Sequence, residues 1–317
     1  MEGINAGERV GKLLSFLSSL EFSGMRKFLA VGAATGALMV SGCSDHALAT
    51  VHYSGTSAQS SQDGHHRFDH DGDVDLMGSD MTVDGRIGGD LSLIGSDLDV
   101  QADIGGNVSL VGSDVDFDGS TGGRTNIAGS DVDWSGDADN DIDIAGSDVD
   151  WSGSTSGTLS VAGSDISIDG RIGEALDLSG SDIEISSRSE IGGDLSVAGS
   201  DVDIAGTVRG HADIVASRID LEGDVEGRLL AIAHSRRGWS WSSDGSHQRI
   251  SIGGRLGEGG AVCARRVEIT PGAELNGPLA VFAEEPPVMA DSALRGAVTF
   301  EEIGDRDCDD LLEPYER

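Results

Sequence analysis

Basic residues are scarce in this chain of 317 residues, which has 21 Lys and Arg against 56 Asp and Glu and a formal net charge of -35. Both lysines, Lys12 and Lys27, lie before residue 43, so only arginines oppose the acids over the rest of the chain. Affinity for nucleic acids depends largely on basic groups that displace counterions from phosphates. The sequence therefore excludes a nucleic-acid partner.

Proline, aromatic residues and long apolar runs are also scarce. There are 5 prolines, none between residues 43 and 270, and aromatic residues make up 4% of the chain. The apolar run at 28–40 falls short of the about 20 residues that a membrane-spanning helix needs. Glycine is abundant, at 48 residues, but it does not recur at every third position, and 38% of the chain is hydrophobic. These features exclude collagen and argue against a wholly disordered chain.

Residues 25–42 have the layout of a bacterial signal peptide. A basic start (Met-Arg-Lys, 25–27) precedes the apolar run, and the segment Val-Ser-Gly-Cys at 40–43 follows it. This tetrapeptide resembles the lipobox of bacterial lipoproteins, which implies cleavage before Cys43 and lipidation of that residue. The alternative is an ordinary signal peptide with an incidental cysteine. Residues 1–24 fit neither version, and we predict that they are a mis-assigned start and that the chain begins at Met25.

If Cys43 is lipidated, the protein is anchored to a membrane of the bacterial cell envelope. The anchor would lie in the outer membrane or in a membrane that faces the periplasm. We predict that residues 43–73 form a flexible tether between this anchor and the first ordered coil, because they lack periodicity and are rich in Ser, His, Gly and Asp.

A repeat of 17 residues organises the rest of the chain. The triplet Gly-Ser-Asp begins at Gly78, Gly95, Gly112, Gly129, Gly146, Gly163 and Gly180, and then at Gly199 after an insertion of two residues. Apolar residues alternate with polar ones inside each repeat, which is typical of strands, and a fixed short period indicates stacked coils. We therefore predict an all-β fold, a parallel β-helix (solenoid) of triangular section with 17-residue coils over residues 74–300.

Two departures from the repeat set further boundaries. Residues 235–249 form the only sizeable insertion, and residues 301–317 are predicted to be an acidic C-terminal tail or cap.

The aromatic trio Phe117, Trp134 and Trp151 falls in an inward column, which predicts stacking inside the core.

The coils resemble those of the bactofilins, the polymer-forming cytoskeletal proteins. The segments Val-Asp-Ile-Ala-Gly-Thr-Val-Arg-Gly at 202–210 and Ala-Arg-Arg-Val-Glu-Ile at 264–269 carry this resemblance. It implies a right-handed triangular β-helix that polymerises end to end without a nucleotide.

Two outward columns carry carboxylates at nearly every repeat. The first consists of Asp80, Asp97, Asp114, Asp131, Asp148, Asp165, Asp182 and Asp201, and the second of Asp99, Asp116, Asp133, Asp150, Glu184, Asp203 and Asp220. Two carboxylates at a coil spacing of ~4.8 Å repel each other by about 0.9 kcal/mol in water, and bound cations would relieve this repulsion. Calcium is the candidate cofactor, although none is required, and the candidate weak divalent-cation face is Asp97, Asp99, Asp114, Asp116, Asp131, Asp133, Asp148 and Asp150. The alternative is a solvated acidic face that provides solubility.

Two further groups of residues are candidate sites. The insertion carries Trp239, Trp241, Arg236 and Arg237, which would contact an envelope glycan or protein or else pack against the rod. Cys263 and Cys308 are a candidate disulfide in an oxidising compartment.

No acid/base pair, nucleophile motif or phosphate-binding glycine loop stands out, so we expect no enzymatic activity. The sequence favours a lipid-anchored structural or scaffolding protein that polymerises. The alternative is an adhesin-like binding module of the envelope.

Overall fold

The structure, a computed structural model, describes residues 57–61, 64–233, 248–289, 297–304 and 306–315. Most of these residues lie in short strands, and successive coils pair in parallel. The chain forms a parallel β-helix of about 13 turns with a spacing of about 17 residues. The predicted fold class is confirmed.

One face of the rod, which we call face A, is a sheet of 14 strands. They are β1 (Ser57–Ser61), β3 (Asp73–Met77), β5 (Leu91–Ile94), β7 (Val108–Val111), β10 (Thr125–Ala128), β13 (Ile142–Ala145), β15 (Leu159–Ala162), β17 (Leu176–Ser179), β20 (Leu195–Ala198), β23 (Ala212–Val215), β26 (Leu229–Ala233), β29 (Gly260–Ala264), β32 (Leu279–Ala283) and β34 (Val298–Glu302).

The other two faces, which we call the acidic face and the narrow face, share a sheet of 20 strands. Strands that extend across both faces are β2 (Gly64–His70), β4 (Asp80–Ile87), β6 (Asp97–Ile104), β14 (Asp148–Thr155) and β16 (Asp165–Ile172). Strands on the acidic face alone are β8 (Asp114–Phe117), β11 (Asp131–Trp134), β18 (Asp182–Ile185), β21 (Asp201–Ile204), β24 (Arg218–Leu221), β27 (Arg249–Ile252), β30 (Arg266–Ile269) and β33 (Val288–Met289). Strands on the narrow face alone are β9 (Ser120–Thr121), β12 (Asp137–Ala138), β19 (Glu190–Ile191), β22 (Thr207–Val208), β25 (Asp224–Val225), β28 (Arg255–Leu256) and β31 (Glu274–Leu275).

Alternation along each strand builds the core. In β6 the side chains of Leu98, Val100, Ala102 and Ile104 are buried, whereas those between them are exposed or half-buried. Because the coils stack in register, each inward residue meets the equivalent residue of the next coil, and the buried side chains form continuous columns inside the rod. One long apolar core therefore holds the rod together.

The corners of the coils need glycine where the backbones of neighbouring coils approach closely. Gly153 has a φ of 147°, and a Cβ atom there would lie 2.1 Å from the carbonyl oxygen of Gly136 in the preceding coil. A larger residue would therefore force two coils apart.

The rod begins earlier than the sequence predicts. Strands β1 and β2 lie within residues 43–73, so the prediction of a flexible tether up to residue 73 is wrong from residue 57 onward. The aliphatic pattern hid this coil because His66 and His70 occupy the inward positions that pair with Val83 and Ile87. The side chain of His66 is only 3% exposed.

The C-terminal segment packs against the side of the rod. Strand β34 extends the β-helix to Glu302, and helix α1 (Cys308–Leu312) follows, with a 3-10 turn at Glu313–Tyr315. Leu311 and Leu312 are buried against the outer surface of β26, β29 and β32. The predicted tail or cap is therefore a packed helix that lies on face A.

Candidate functional site

The acidic face carries the two predicted acid ladders. Asp97 pairs with Asp80 on one side and with Asp114 on the other, and this first ladder continues to Asp201. The second ladder begins at Asp99 and continues through Asp116, Asp133 and Asp150, and Ser167 interrupts it before Glu184, Asp203 and Asp220. Parallel stacking of identical coils thus places like charges side by side.

The surroundings of several ladder carboxylates disfavour ionisation. Partial burial, followed by repulsion from Asp99, raises the pKa of Asp116 above its ordinary value. Partial burial and then repulsion from Asp150 raise the pKa of Asp133 in the same way. For Asp97, hydrogen bonding to Asp80 is the largest cause of a raised pKa. The raised pKa values of Asp116 and Asp133 are the effect expected of partly buried carboxylates that stand beside like charges.

The geometry of the ladders limits how a cation could bind. Within the described parts of the chain, no three His, Cys, Asp or Glu side chains converge closely enough to hold one metal ion. Asp148, Asp165, Asp182 and Glu184 line part of an open depression of about 390 Å³ on this face. A calcium ion takes 6–8 oxygens, so water would supply most ligands of an ion bound to neighbouring rungs. The calcium site at residues 97–150 stays a prediction.

Arginines continue the first ladder beyond Asp201. Arg218, Arg249 and Arg266 occupy the same position in the next three coils. Arg218 Nε lies 3.3 Å from Asp201 Oδ1, and an Arg249 guanidinium nitrogen lies 3.4 Å from Asp220 Oδ2. The column is therefore acidic over most of its length and basic near its C-terminal end. This change of sign was not predicted, although Arg218 follows Asp201 by 17 residues, the length of one repeat.

A further ladder, also missed, lies at the corner that precedes face A. The backbone N–H of Asp90 donates to Asp73 Oδ1 at 3.0 Å, and the N–H of Asn107 donates to Asp90 Oδ1 at 2.7 Å. Asp141 and Asp194 accept a backbone hydrogen bond from the next coil in the same way. These carboxylates hold neighbouring coils together, because each accepts a hydrogen bond from the backbone N–H of a corner residue in the next coil. The recurrence of Asp or Asn directly before a face A strand is the signal that could have revealed them.

The aromatic trio lies inside the core. Phe117 and Trp134 stack with ring centroids 4.1 Å apart and planes 3° apart, as predicted, and Trp151 is buried in the following coil. Trp134 Nε1 donates to the Gly136 carbonyl oxygen at 3.0 Å, whereas Trp151 Nε1 has no partner among the described atoms. These rings contribute to packing and leave no aromatic platform on the surface of the coils concerned.

Cys263 and Cys308 form a disulfide, with Cα atoms 5.7 Å apart. Cys263 points outward from β29, as expected for the residue after an inward valine, but α1 covers it completely. The bond ties α1 to face A. It closes a small second apolar cluster that includes Ala261 and Phe282.

The remaining predicted sites lie outside the described residues. These are Cys43 with the signal segment, and four residues of the predicted insertion that fall within 234–247, namely Trp239, Trp241, Arg236 and Arg237. Arg249, which the repeat pattern assigned to the insertion, begins β27 instead. In the described part of the chain, no helix is long and apolar enough to cross a membrane.

Comparison with known proteins adds no relative. No protein-family model matches the chain, and no curated protein sequence or solved structure matches it either. The fold is thus established by the structure of this chain alone, and the resemblance to bactofilins stays an interpretation of the repeat.

Proposed function

We propose that this protein is a structural rod of the bacterial cell envelope that is lipid-anchored at Cys43 and polymerises through its ends. The layout of residues 25–43 supports the anchor. The disulfide between Cys263 and Cys308 supports an exported protein, because such bonds persist in oxidising compartments.

The observation that supports self-association is the exposure of inward apolar residues in β34, the last strand of the rod. Val298 and Phe300 pair with Leu279 and Val281, so they occupy inward columns. Phe300 is nevertheless 40% exposed, since β34 pairs with no later strand among the described residues. An apolar column that emerges at the end of the rod, beside an unpaired strand edge, favours docking of another coil.

Sedimentation velocity of the purified chain tests this proposal, with and without the substitution Phe300→Asp. We expect large assemblies for the unchanged chain and loss of those assemblies for the variant. Val288→Asp is the matched control, because Val288 is 57% exposed at the same end but pairs with the outward Glu268. If neither variant changes the distribution, end-to-end assembly through this coil is excluded.

A second candidate function is an adhesin-like binding module that uses the acidic face with calcium, and the depression on that face favours it. Runs with calcium and with a chelator separate the two candidates. Assemblies that form only with calcium support cation-dependent binding, and assemblies that persist in chelator support the end contact. Calcium titration by calorimetry that gives no heat up to millimolar concentrations excludes the cation face.

The anchor is tested by mass spectrometry of the N-terminal peptide from cells. We expect a mature chain that begins at an acylated Cys43. Recovery of peptides from residues 2–24 contradicts the predicted start at Met25, and an unmodified Cys43 contradicts the anchor.

A further inference from the structure

An apolar stripe runs along the outside of face A. It consists of one outward residue from each of the twelve strands from β3 to β32, and the register joins them in the order Met77, Ile94, Val111, Ala128, Ala145, Ala162, Ser179, Ala198, Val215, Ile232, Cys263 and Phe282. We call these positions the outer stripe. An outward column on a strand exposed to water ordinarily carries polar residues, as the ladders of the acidic face do. The outer stripe instead contains only one residue with a polar side chain before Ile232, Ser179.

The chain itself already uses one end of this stripe as an apolar interface. Helix α1 covers Cys263 and Phe282 and leaves them 0% and 6% exposed, and Ile232 packs against the same cluster. The nine positions from Met77 to Val215 have no such cover among the described residues. Met77 is 46% exposed, and the others in this stretch are half-buried.

We propose that the uncovered outer stripe is a docking surface for a second copy of this chain, and that the two rods lie antiparallel with face A against face A. Helix α1 stands on face A at the C-terminal end only. In a parallel pair with the coils level, the two copies of α1 would collide. In an antiparallel pair each α1 lies beyond the first coils of the other rod.

Side-chain size also favours the antiparallel arrangement. The midpoint of the uncovered stretch is Ala145, so an antiparallel pair sets Met77 opposite Val215, Ile94 opposite Ala198, and Val111 opposite Ser179. Each of these pairs joins a larger residue to a smaller one, which makes the gap between the sheets more even. A parallel pair instead sets Met77, Ile94 and Val111 against themselves, and both arrangements set alanine against alanine at the middle of the stripe. The middle of the stripe borders a shallow groove of about 560 Å³ that is lined by small residues, among them Ala145 and Ala162.

The available area is compatible with a closed dimer, but the charge on face A opposes close contact. Nine coils at ~4.8 Å and four residues at ~3.3 Å give about 570 Å² for each copy, or about 1,100 Å² in total. Asp75, Asp177 and Asp213 also point outward there, and the antiparallel pairing sets Asp75 opposite Asp213. Pairing should therefore strengthen as salt screens these carboxylates. Asp143 would lie near its counterpart at the two-fold axis, but each Asp143 is paired with Arg124, whose Nε lies 3.4 Å from Asp143 Oδ2. The contact is self-complementary, so it closes at two copies and differs from the end contact of the proposed function.

Cross-linking of single-cysteine variants in the full chain, in a Cys43→Ser background with the native disulfide oxidised, tests the geometry. With a short bis-maleimide, we expect Ala145→Cys to cross-link to its own copy. Met77→Cys should cross-link poorly to itself but efficiently in a mixture with Val215→Cys. Ser167→Cys, an outward position on the acidic face in the same coil as Ala162, is the matched control and should not cross-link.

Three results would overturn the proposal. Self-cross-linking of Met77→Cys as efficient as that of Ala145→Cys means a parallel or random contact. Equal cross-linking of Ser167→Cys means collision without a specific surface. A monomer at every concentration in sedimentation velocity of the Phe300→Asp chain means that face A does not pair. If face A pairs, the Phe300→Asp chain should remain a dimer. Adding Ala145→Arg to that chain should abolish the dimer, and adding Ser167→Arg should not. Failure of the end contact and failure of the face contact therefore remain distinguishable.

Discussion

Replacing Asp133 by asparagine is expected to stabilise the rod. Its carboxylate stands between those of Asp116 and Asp150 in the second ladder, and partial burial, followed by repulsion from Asp150, raises its pKa. Two unit charges ~4.8 Å apart repel by about 0.9 kcal/mol in water. Removing one charge between two neighbours should therefore raise the free energy of unfolding by about 1–2 kcal/mol at low ionic strength. Asparagine keeps the size of the side chain, so packing is unchanged.

The assay is urea denaturation followed by tryptophan fluorescence, since Trp134 and Trp151 lie in the two coils at this site and urea does not screen charges. Asp139→Asn is the matched control. Asp139 lies in the same coil, but its counterparts one repeat away are Gly122 and Ser156. The control should shift the midpoint little, and the gain for Asp133→Asn should shrink at 1 M salt, where the screening length falls to about 3 Å. A destabilised Asp133→Asn, or an equal gain in both variants, would refute the argument from ladder repulsion.

Three further predictions concern the pH response and the core. Burial chiefly raises the pKa of Asp116 in the folded chain, so the folded chain binds a proton there more readily than the unfolded chain does. Stability should therefore rise as pH falls from 7 toward the unfolded pKa of about 3.9. A melting temperature that falls steadily over this range would contradict the prediction. Gly153→Ala should destabilise the rod by more than the about 1–3 kcal/mol of backbone strain alone. Gly272→Ala is its control, because Gly272 also has a positive φ, of 108°, but a Cβ atom there would meet no other atom within 4 Å. Equal urea midpoints for the two variants would show that the close approach to Gly136 costs nothing. Trp134→Phe should cost about 1 kcal/mol more than Trp151→Phe, because only Trp134 loses a hydrogen bond, and a reversed order of melting temperatures would count against it.

The sequence predicted the coils well because their determinants are local. A Gly-Ser-Asp corner, alternation within each strand and a fixed period define a stacked coil without reference to distant residues. The same local rule failed at the first coil, where His66 takes an inward position that later coils fill with Val83 and Val100. Its burial depends on the coil stacked above it, which residue types alone could not reveal.

The features that were missed depend on which coils become neighbours. The insertion after residue 233 hides the register between Arg218 and Arg249, so the place of Arg249 in the first ladder becomes visible only once the strands pair. The burial of Cys263 was missed for a similar reason. Its outward direction follows from alternation, but its cover comes from α1, which is separated from it by 45 residues.

Parallel stacking in register also constrains where this protein can form contacts. A period that repeats valine or isoleucine at every inward position also repeats aspartate at outward ones, so the acidic face repels any copy of itself. The net charge of -35 adds to that repulsion at long range. Among the described residues, apolar side chains reach the surface at two places where a second copy could dock, the open end at Phe300 and the outer stripe on face A. Self-association that depends on either surface should therefore strengthen as salt screens the charged faces, whereas cation-mediated contacts through the ladders should weaken.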